Sequence, residues 1–335
     1  MSGSILFCDG FDHYNNATDI ATVYPNFSFN GLVAGRIDGY ALSISSYSGL
    51  FVYQNFAPQT DLTVGIAVNP VAPTGAVPKF YFEDISTGDV LCSVDLSTPN
   101  LVTVICAAGT FTANVPIIPQ GNWTQLQIRL IVSASTGSVE VVFNGTNVVF
   151  QKTNINTTAG SGSVTACNKF VFVAGGDTAH GSCYYDDFIL ATGGFPGDCR
   201  IQTDFPVSNH AVQFAPLANT NWQEVSEVAM DGDTSYNSSS TPGQQDTFAF
   251  TSLSVPSGSS ILSVSLVNAS RKTDAGARTI ENVVLSGSAS ATGANFGPST
   301  SYQYQFDQFL TDPNTSAAWT QTGINAAFFG YKVES

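Results

Sequence analysis

The sequence predicts an all-β protein of two sandwiches, a larger one followed by a smaller one, and three observations carry that expectation. Apolar residues recur at every second position through most of the chain, turn-forming residues return every eight to twelve positions, and no stretch shows the three-to-four spacing of an amphipathic helix. Strands in unbroken succession imply packed sheets, not strands alternating with helices.

The clearest stretch is residues 121–150. Trp123, Leu126, Ile128, Leu130 and Val132 mark one face of a strand, and Val139, Val141 and Phe143 mark the next, beyond the break at Thr136-Gly137. Asn144-Gly145 follows. That dipeptide is the one best able to hold positive φ at both centres of a type I′ turn, so Val148 and Phe150 return as a third antiparallel strand.

Earlier in the chain, residues 5–12 read as a first strand. A polar loop and Gly35-Arg-Ile-Asp-Gly39 then lead into a second strand at Tyr40, Leu42 and Ile44. Leu62 to Val68 alternates again. Phe80 to Phe82 and Val90 to Leu96 form a hairpin around Thr87-Gly88, and Val102 to Cys106 and Phe111 to Ile117 add two short strands. A last strand, Tyr184 to Ala191, ends at Gly193-Gly-Phe-Pro-Gly-Asp198, where glycine and proline permit a change of direction.

The boundaries that follow are 1–195 for the larger sandwich, 196–245 for an irregular connector and 246–335 for the smaller sandwich. In the connector, Trp222, Val225 and Val228 are the residues expected to be buried. Thr247 to Leu253, Ile261 to Asn268, Thr279 to Leu285, Tyr302 to Phe309 and Phe328 to Val333 are the expected strands of the second sandwich, with one helical turn between Asp312 and Asn325.

Several of these segments resemble known families. Asp9-Gly-Phe-Asp12, the Trp123 strand with its hairpin through Asn144-Gly145, and Tyr184-Tyr-Asp-Asp-Phe-Ile-Leu190 resemble, in that order, the concanavalin A-like (laminin-G-like) lectin/glucanase jelly roll as it stands in many bacteriophage virion proteins. That family carries a GR-x-GG segment, and Asp38 stands here at its second glycine. Gly197-Asp-Cys-Arg-Ile201, Trp222 to Glu227, Asp231-Gly-Asp-Thr-Ser-Tyr236, Asp312 to Thr320 and Phe329 to Val333 are similar to the second β domain of a recurrent bacteriophage virion protein. The resemblance implies a virion component synthesised in the host bacterial cytoplasm.

Composition narrows the functional classes. Charged residues make up only 10% of the chain against 43% hydrophobic, so its surface is polar but charge-poor and suits repeated contacts between subunits. Ten Lys and Arg against 25 Asp and Glu give a net charge of −15, which argues against binding nucleic acid phosphates. The sequence shows no apolar run long enough to span a membrane. The six cysteines, at 8, 92, 106, 167, 183 and 199, have no C-x-x-C spacing and read as buried thiols. The resemblance places the first and last strands of the sandwich side by side, which makes Cys8 and Cys183 a pair worth testing for oxidation.

The chemistry looked for gives a sparse set of candidates. No strand carries the E-x-D-x-E carboxylates of a retaining glucanase, and His13, His180 and His210 lack metal or triad spacing, so no enzymatic activity is expected. No cofactor is expected. Calcium is the one open ligand, with Asp231, Asp233, Asp186 and Asp187 as candidate oxygen donors. Tyr14, Tyr24, Tyr47, Tyr53, Tyr236 and Tyr302 lie in or near expected loops and are the candidates for stacking on sugars or anchoring an interface.

The expected function is therefore that of a phage virion structural protein, a tail or tail-fibre component with a lectin-like host-recognition domain. A capsid-decoration protein bracing capsomers is the alternative, and a polysaccharide depolymerase is the third class. The expected partners are other virion proteins, further copies of the chain in a symmetric homo-oligomer such as a trimer, and a host surface glycan.

Overall fold

The computed structural model describes residues 3–24, 31–45, 50–53, 56–71, 78–98, 100–174 and 182–335. It divides into two compact units: Met1–Asp12 with Asn16–Gln202, and His13–Asn15 with Thr203–Ser335.

Unit 1 contains β1 (Ser4–Asp9), β2 (Gly31–Ala34), β3 (Tyr40–Ser45), β4 (Leu50–Tyr53), β5 (Asp61–Pro70), β6 (Pro78–Glu83), β7 (Val90–Asp95), β8 (Leu101–Cys106), β9 (Gly109–Asn114), β10 (Thr124–Ile131), β11 (Gly137–Phe143), β12 (Asn147–Ile155), β13 (Lys169–Ala174) and β14 (Ser182–Thr192). An eight-stranded antiparallel sheet runs β12-β11-β10-β5-β14-β3-β2, with β1 also paired to β14. A six-stranded sheet runs β4-β13-β6-β7-β8-β9.

The two-residue alternation sets which face is buried. Leu62, Val64, Ile66 and Val68 of β5 lie opposite Leu130, Ile128, Leu126 and Thr124 of β10, so the apolar residues of both strands point to one side. The six-stranded sheet supplies Phe80, Phe82, Phe170 and Phe172, all fully buried, and Phe170 stacks on Phe188 of β14 at 5.9 Å. Removing a buried phenyl ring here, as in Phe170→Ala, costs about 3–5 kcal/mol. The Asn144-Gly145 turn has φ of 51° and 74°, the positive pair that its dipeptide predicts.

A helix was not expected in this unit. Residues Ala17–Val23 form a short helix, α1, because the Asn16 side chain caps it by accepting from the Thr18 and Asp19 amides at 2.7 and 3.2 Å. With seven residues it buries only Asp19, Ile20 and Val23, too few to leave a periodic signature.

Unit 2 contains β15 (Pro206–Ala211), β16 (Ala215–Pro216), β17 (Asn237–Ser238), β18 (Gln245–Phe250), β19 (Val264–Ser270), β20 (Ile280–Ser286), β21 (Ala289–Thr292), β22 (Gln303–Phe309) and β23 (Phe328–Val333), with a short helix α2 (Gln321–Ala326) before the last strand. A five-stranded sheet, β15-β18-β23-β20-β21, faces the β19–β22 pair across a core of Leu266, Val284, Phe309, Trp319, Ala327 and Phe329. The Trp319 indole donates to the Phe309 carbonyl at 2.8 Å, which lets the large ring be buried without an orphaned N–H.

The stretch expected as a connector is built into both units. Residues up to Gln202 belong to unit 1, and β15 pairs with β18 in unit 2. Within it Phe214 is buried against Tyr331, and the other pins are polar. Buried Asn221 donates to the Phe214 carbonyl and to Asp246, both at 2.9 Å, and buried Glu224 accepts from the amides of Ala218, Asn219 and Tyr236. Those amides hold the Glu224 carboxyl below its usual range, against burial, which would raise it. Val228, expected inside, is exposed.

No helix among the described residues is long and apolar enough to cross a membrane.

Candidate functional site

Motifs singled out in the sequence of unit 1 meet at a bulge in the middle of β14. Asp12 accepts from the Tyr40 amide at 2.7 Å, and Gly39, with φ of 59°, lies so close to the Asp12 carboxylate that no side chain could be accommodated there. The Arg36 amide donates to Asp186 at 2.7 Å, while its guanidinium reaches Asp187 at 3.1 Å, Asp198 at 2.8 Å and the Cys199 carbonyl at 3.0 Å. The Ile201 amide closes the set by donating to Asp187 at 2.6 Å.

Electrostatically this is a dry, crowded place. Burial, then the charge of Asp187, push the Asp186 carboxyl up to about 8, against the amides of Arg36 and Asp187; Asp12 adds to the rise. Burial raises Asp187 as well, although Arg36 and the Ile201 amide oppose it. Asp187 has φ of 51° and interrupts the β14–β5 register between Asp186 and Ile189, a bulge that turns both carboxyls toward these partners. The arrangement ties the β2–β3 loop, the β14 bulge and the segment after β14 together.

That segment, residues 193–202, runs along the face of the eight-stranded sheet that points away from the core. It touches this face where the Thr63 hydroxyl donates to the Gly193 carbonyl at 2.7 Å, and where the Gln127 amide donates to the Gly197 carbonyl. A third contact is at the Asn144-Gly145 turn, where a Cβ added to Gly145 would stand 3.0 Å from the Gly197 carbonyl carbon and closer still to the Asp198 nitrogen. Gln125 and Gln127 are consequently buried on a face that alternation alone would leave wet. Among the described residues, both amide atoms of Gln125 and the Oε1 of Gln127 have no partner.

The opposite side of unit 1 is open. A cleft of about 550 Å³ lies where the ends of β7 and β8 meet the loop 156–162. Its wall carries exposed Val90 and Ile105 beside Asp89, Ser93, Asn156 and Ser161. The Asn156 Oδ1 is spent on the Thr158 amide and hydroxyl at 3.0 and 2.8 Å, and the Asn156 carbonyl on the Ala108 amide. Its Nδ2, and the Asp89 carboxylate, have no hydrogen-bond partner among the described residues. Gly160 approaches so near to Asp89 that a Cβ would lie 2.8 Å from its Oδ2, and its φ of 55° also requires glycine. The cleft therefore offers an acceptor, a donor and an apolar strip within one concavity.

The candidate tyrosines do not form a rim. Tyr14, Tyr24 and Tyr53, expected at exposed positions, are buried. Tyr24 donates to Asp9, Tyr53 stacks on Phe7 at 4.4 Å, and Tyr14 packs edge-on against Tyr304 at 5.3 Å inside unit 2. Burial, followed by Asp9 and Cys8, raises the Tyr53 hydroxyl far above its usual value. Nearness to a loop in sequence gave no information on depth. Tyr236 and Tyr302 are half-buried in unit 2, and Tyr47 and His180 lie outside the described residues.

Of the calcium candidates, Asp186 and Asp187 are committed to the latch just described. Asp233 receives Arg271 at 2.8 Å and the Tyr302 hydroxyl at 3.0 Å, and Asp231 receives the amide and hydroxyl of Ser235. Among the described residues no three His, Cys, Asp or Glu side chains gather as a metal site. Cys8 lies opposite Ile189, six residues along β14 from Cys183 and so about 20 Å away, which removes that cysteine pair. The cleft residues Asp89, Ile105 and Asn156 went unnoticed in the sequence, where nothing joins three polar or apolar positions so far apart.

No family model and no curated protein matches the chain. Among solved structures it is similar to a sialidase, at 11% identity over 57% of this chain and 19% of that one, with a TM-score of 0.41. It is also similar to the cellulose-induced protein Cip1, at 11% identity over 59% and 99% with a TM-score of 0.39. A GH131 β-glucanase catalytic domain from Podospora anserina matches at 10% identity over 58% and 99%, with a TM-score of 0.38. The chain spans about a fifth of the sialidase. These likenesses are of fold, a jelly-roll sandwich shared with domains that bind or act on carbohydrate. The expectation of a protein without enzymatic activity is corrected by them. A sialidase and a GH131 β-glucanase catalytic domain are among the matches.

Proposed function

We propose that the chain is a glycan-recognition component of a phage virion, and that the cleft of unit 1 receives a neutral polysaccharide. The observation that carries this reading is the Asp89 carboxylate and the Asn156 Nδ2, both without partners among the described residues, beside the exposed side chains of Val90 and Ile105. Adjacent sugar hydroxyls donate and accept together, and the C–H face of the ring needs an apolar surface. A net charge of −15 repels polyanions, which favours an uncharged polymer. The virion setting is supported by the Asp9–Asp12, Tyr184–Leu190, Gly197–Ile201 and Asp231–Tyr236 motifs. A charge-poor surface suits display in several contacting copies.

Titrating the full chain against a panel of neutral host polysaccharides tests the reading. Ile105→Glu places a charge in the cleft at a site exposed enough to spare the fold, and it is expected to weaken binding at least tenfold. Retention of no neutral glycan, or equal binding by Ile105→Glu, would overturn the cleft. Absence of the chain from purified particles would overturn the setting.

A further inference from the structure

Cys92 and Cys106 are direct partners in the β7–β8 ladder, so their side chains leave the sheet on the same face. Directly opposed residues of an antiparallel pair have Cα atoms about 4.5–5.5 Å apart, inside the range of about 4.4–6.8 Å that a disulfide spans. Their Cβ atoms stand about 4.5–5.5 Å apart against the roughly 3.5–4.5 Å of a disulfide, so closure asks for about 1 Å of movement. Both thiols are free.

Access to the two differs in a way that orders the chemistry. Cys92 is fully buried, whereas Cys106 is half-buried and lines the cleft. A reagent in solvent therefore meets Cys106 first. The segment it anchors matters to the site, because Ala108, two residues on, donates its amide to the Asn156 carbonyl at 3.1 Å.

We propose that Cys92 and Cys106 form a reversible disulfide that fixes the wall of the cleft when the chain meets a small-molecule disulfide. The Cys106 thiol gives its proton to solvent and attacks one sulfur of oxidised glutathione, which releases one glutathione thiolate and leaves a mixed disulfide. The Cys92 thiol then loses its proton, its sulfur attacks that of Cys106, and the second glutathione thiolate leaves. Two protein thiols are oxidised and one glutathione disulfide is reduced to two thiols. Burial raises both thiols, Cys92 most, so the exchange accelerates with rising pH. The proposal stands independently of what the cleft binds.

The test incubates the native full chain with oxidised glutathione, traps the remaining thiols, unfolds the protein and cleaves at Asp95, which lies between the two cysteines. The expected products are a chain lighter by two hydrogens and a cross-linked peptide pair containing Cys92 and Cys106, both reverted by a thiol reductant. Cys92→Ser should instead retain a stable glutathione adduct on Cys106, and Cys106→Ser should carry neither adduct nor cross-link at Cys92. A wild-type chain that keeps the Cys106 adduct without cross-linking, that links Cys92 to the nearby Cys167, or that does not react at either site would overturn the proposal.

Discussion

Gly145 and Gly88 make a matched pair for weighing the segment 193–202. Their φ values are 74° and 75°, so alanine at either position pays the same left-handed backbone penalty of about 1–2 kcal/mol. Nothing lies within 4 Å of a Cβ built on Gly88, whereas at Gly145 it would meet Gly197 and Asp198. Gly145→Ala must therefore displace the segment or shift the turn, at an additional cost of about 1–3 kcal/mol of the kind seen on overfilling a packed site. The expected losses are about 1–2 kcal/mol for Gly88→Ala and about 2–5 kcal/mol for Gly145→Ala. Urea unfolding read by hydrogen exchange on β10 peptides isolates unit 1 from unit 2. Gly145→Ala should also raise exchange in residues 194–202. Equal costs for the two substitutions, with unchanged exchange in that segment, would refute the account of the covered sheet face.

Three further outcomes follow from the packing. The folded Asp186 carboxyl at about 8 lies above the unfolded value of about 3.9, so its ionisation opposes folding; its contribution is neutral below pH 4 and worsens as pH rises to 8. Asp186→Asn should flatten the decline between pH 5 and 8.5 by up to about 4 kcal/mol, on top of a pH-independent cost for one lost acceptor, and denaturation curves parallel to wild type would contradict this. In unit 2, Trp319→Phe orphans the Phe309 carbonyl and should cost about 1–3 kcal/mol in urea unfolding, whereas a neutral result would show that the bond is unimportant. Asn221→Ala leaves Asp246 and the Phe214 carbonyl short of a donor inside the protein, and a loss of about 2–3 kcal/mol by the same assay is expected.

What the sequence revealed was local alternation, and what it concealed was depth and convergence. β5, β10 and β11 were legible because their apolar residues alternate toward the core, even though β5 and the first half of β10 are buried on both faces. β13 was missed although KFVFVA alternates, because no turn dipeptide marks a partner; its neighbours are β4 and β6, from much earlier in the chain. β15 was hidden by the prolines and polar residues around it. The departure at Asp38 proved harmless for a visible reason: its side chain is exposed, and only its carbonyl faces the close approach of Gly35. The buried tyrosines show the limit of position as a guide, since Tyr24 leaves a short helix yet reaches the carboxylate of Asp9. The cleft brings together Asp89 before β7, Ile105 at the end of β8 and Asn156 after β12, and no spacing in the sequence announces such a meeting.

Hydrogen exchange of the full chain with and without a retained neutral polysaccharide tests the central claim most directly. Protection is expected in residues 89–93, 105–108 and 156–162, with none in 193–202. Protection confined to 193–202 and the covered sheet face, with the cleft unchanged, would contradict it.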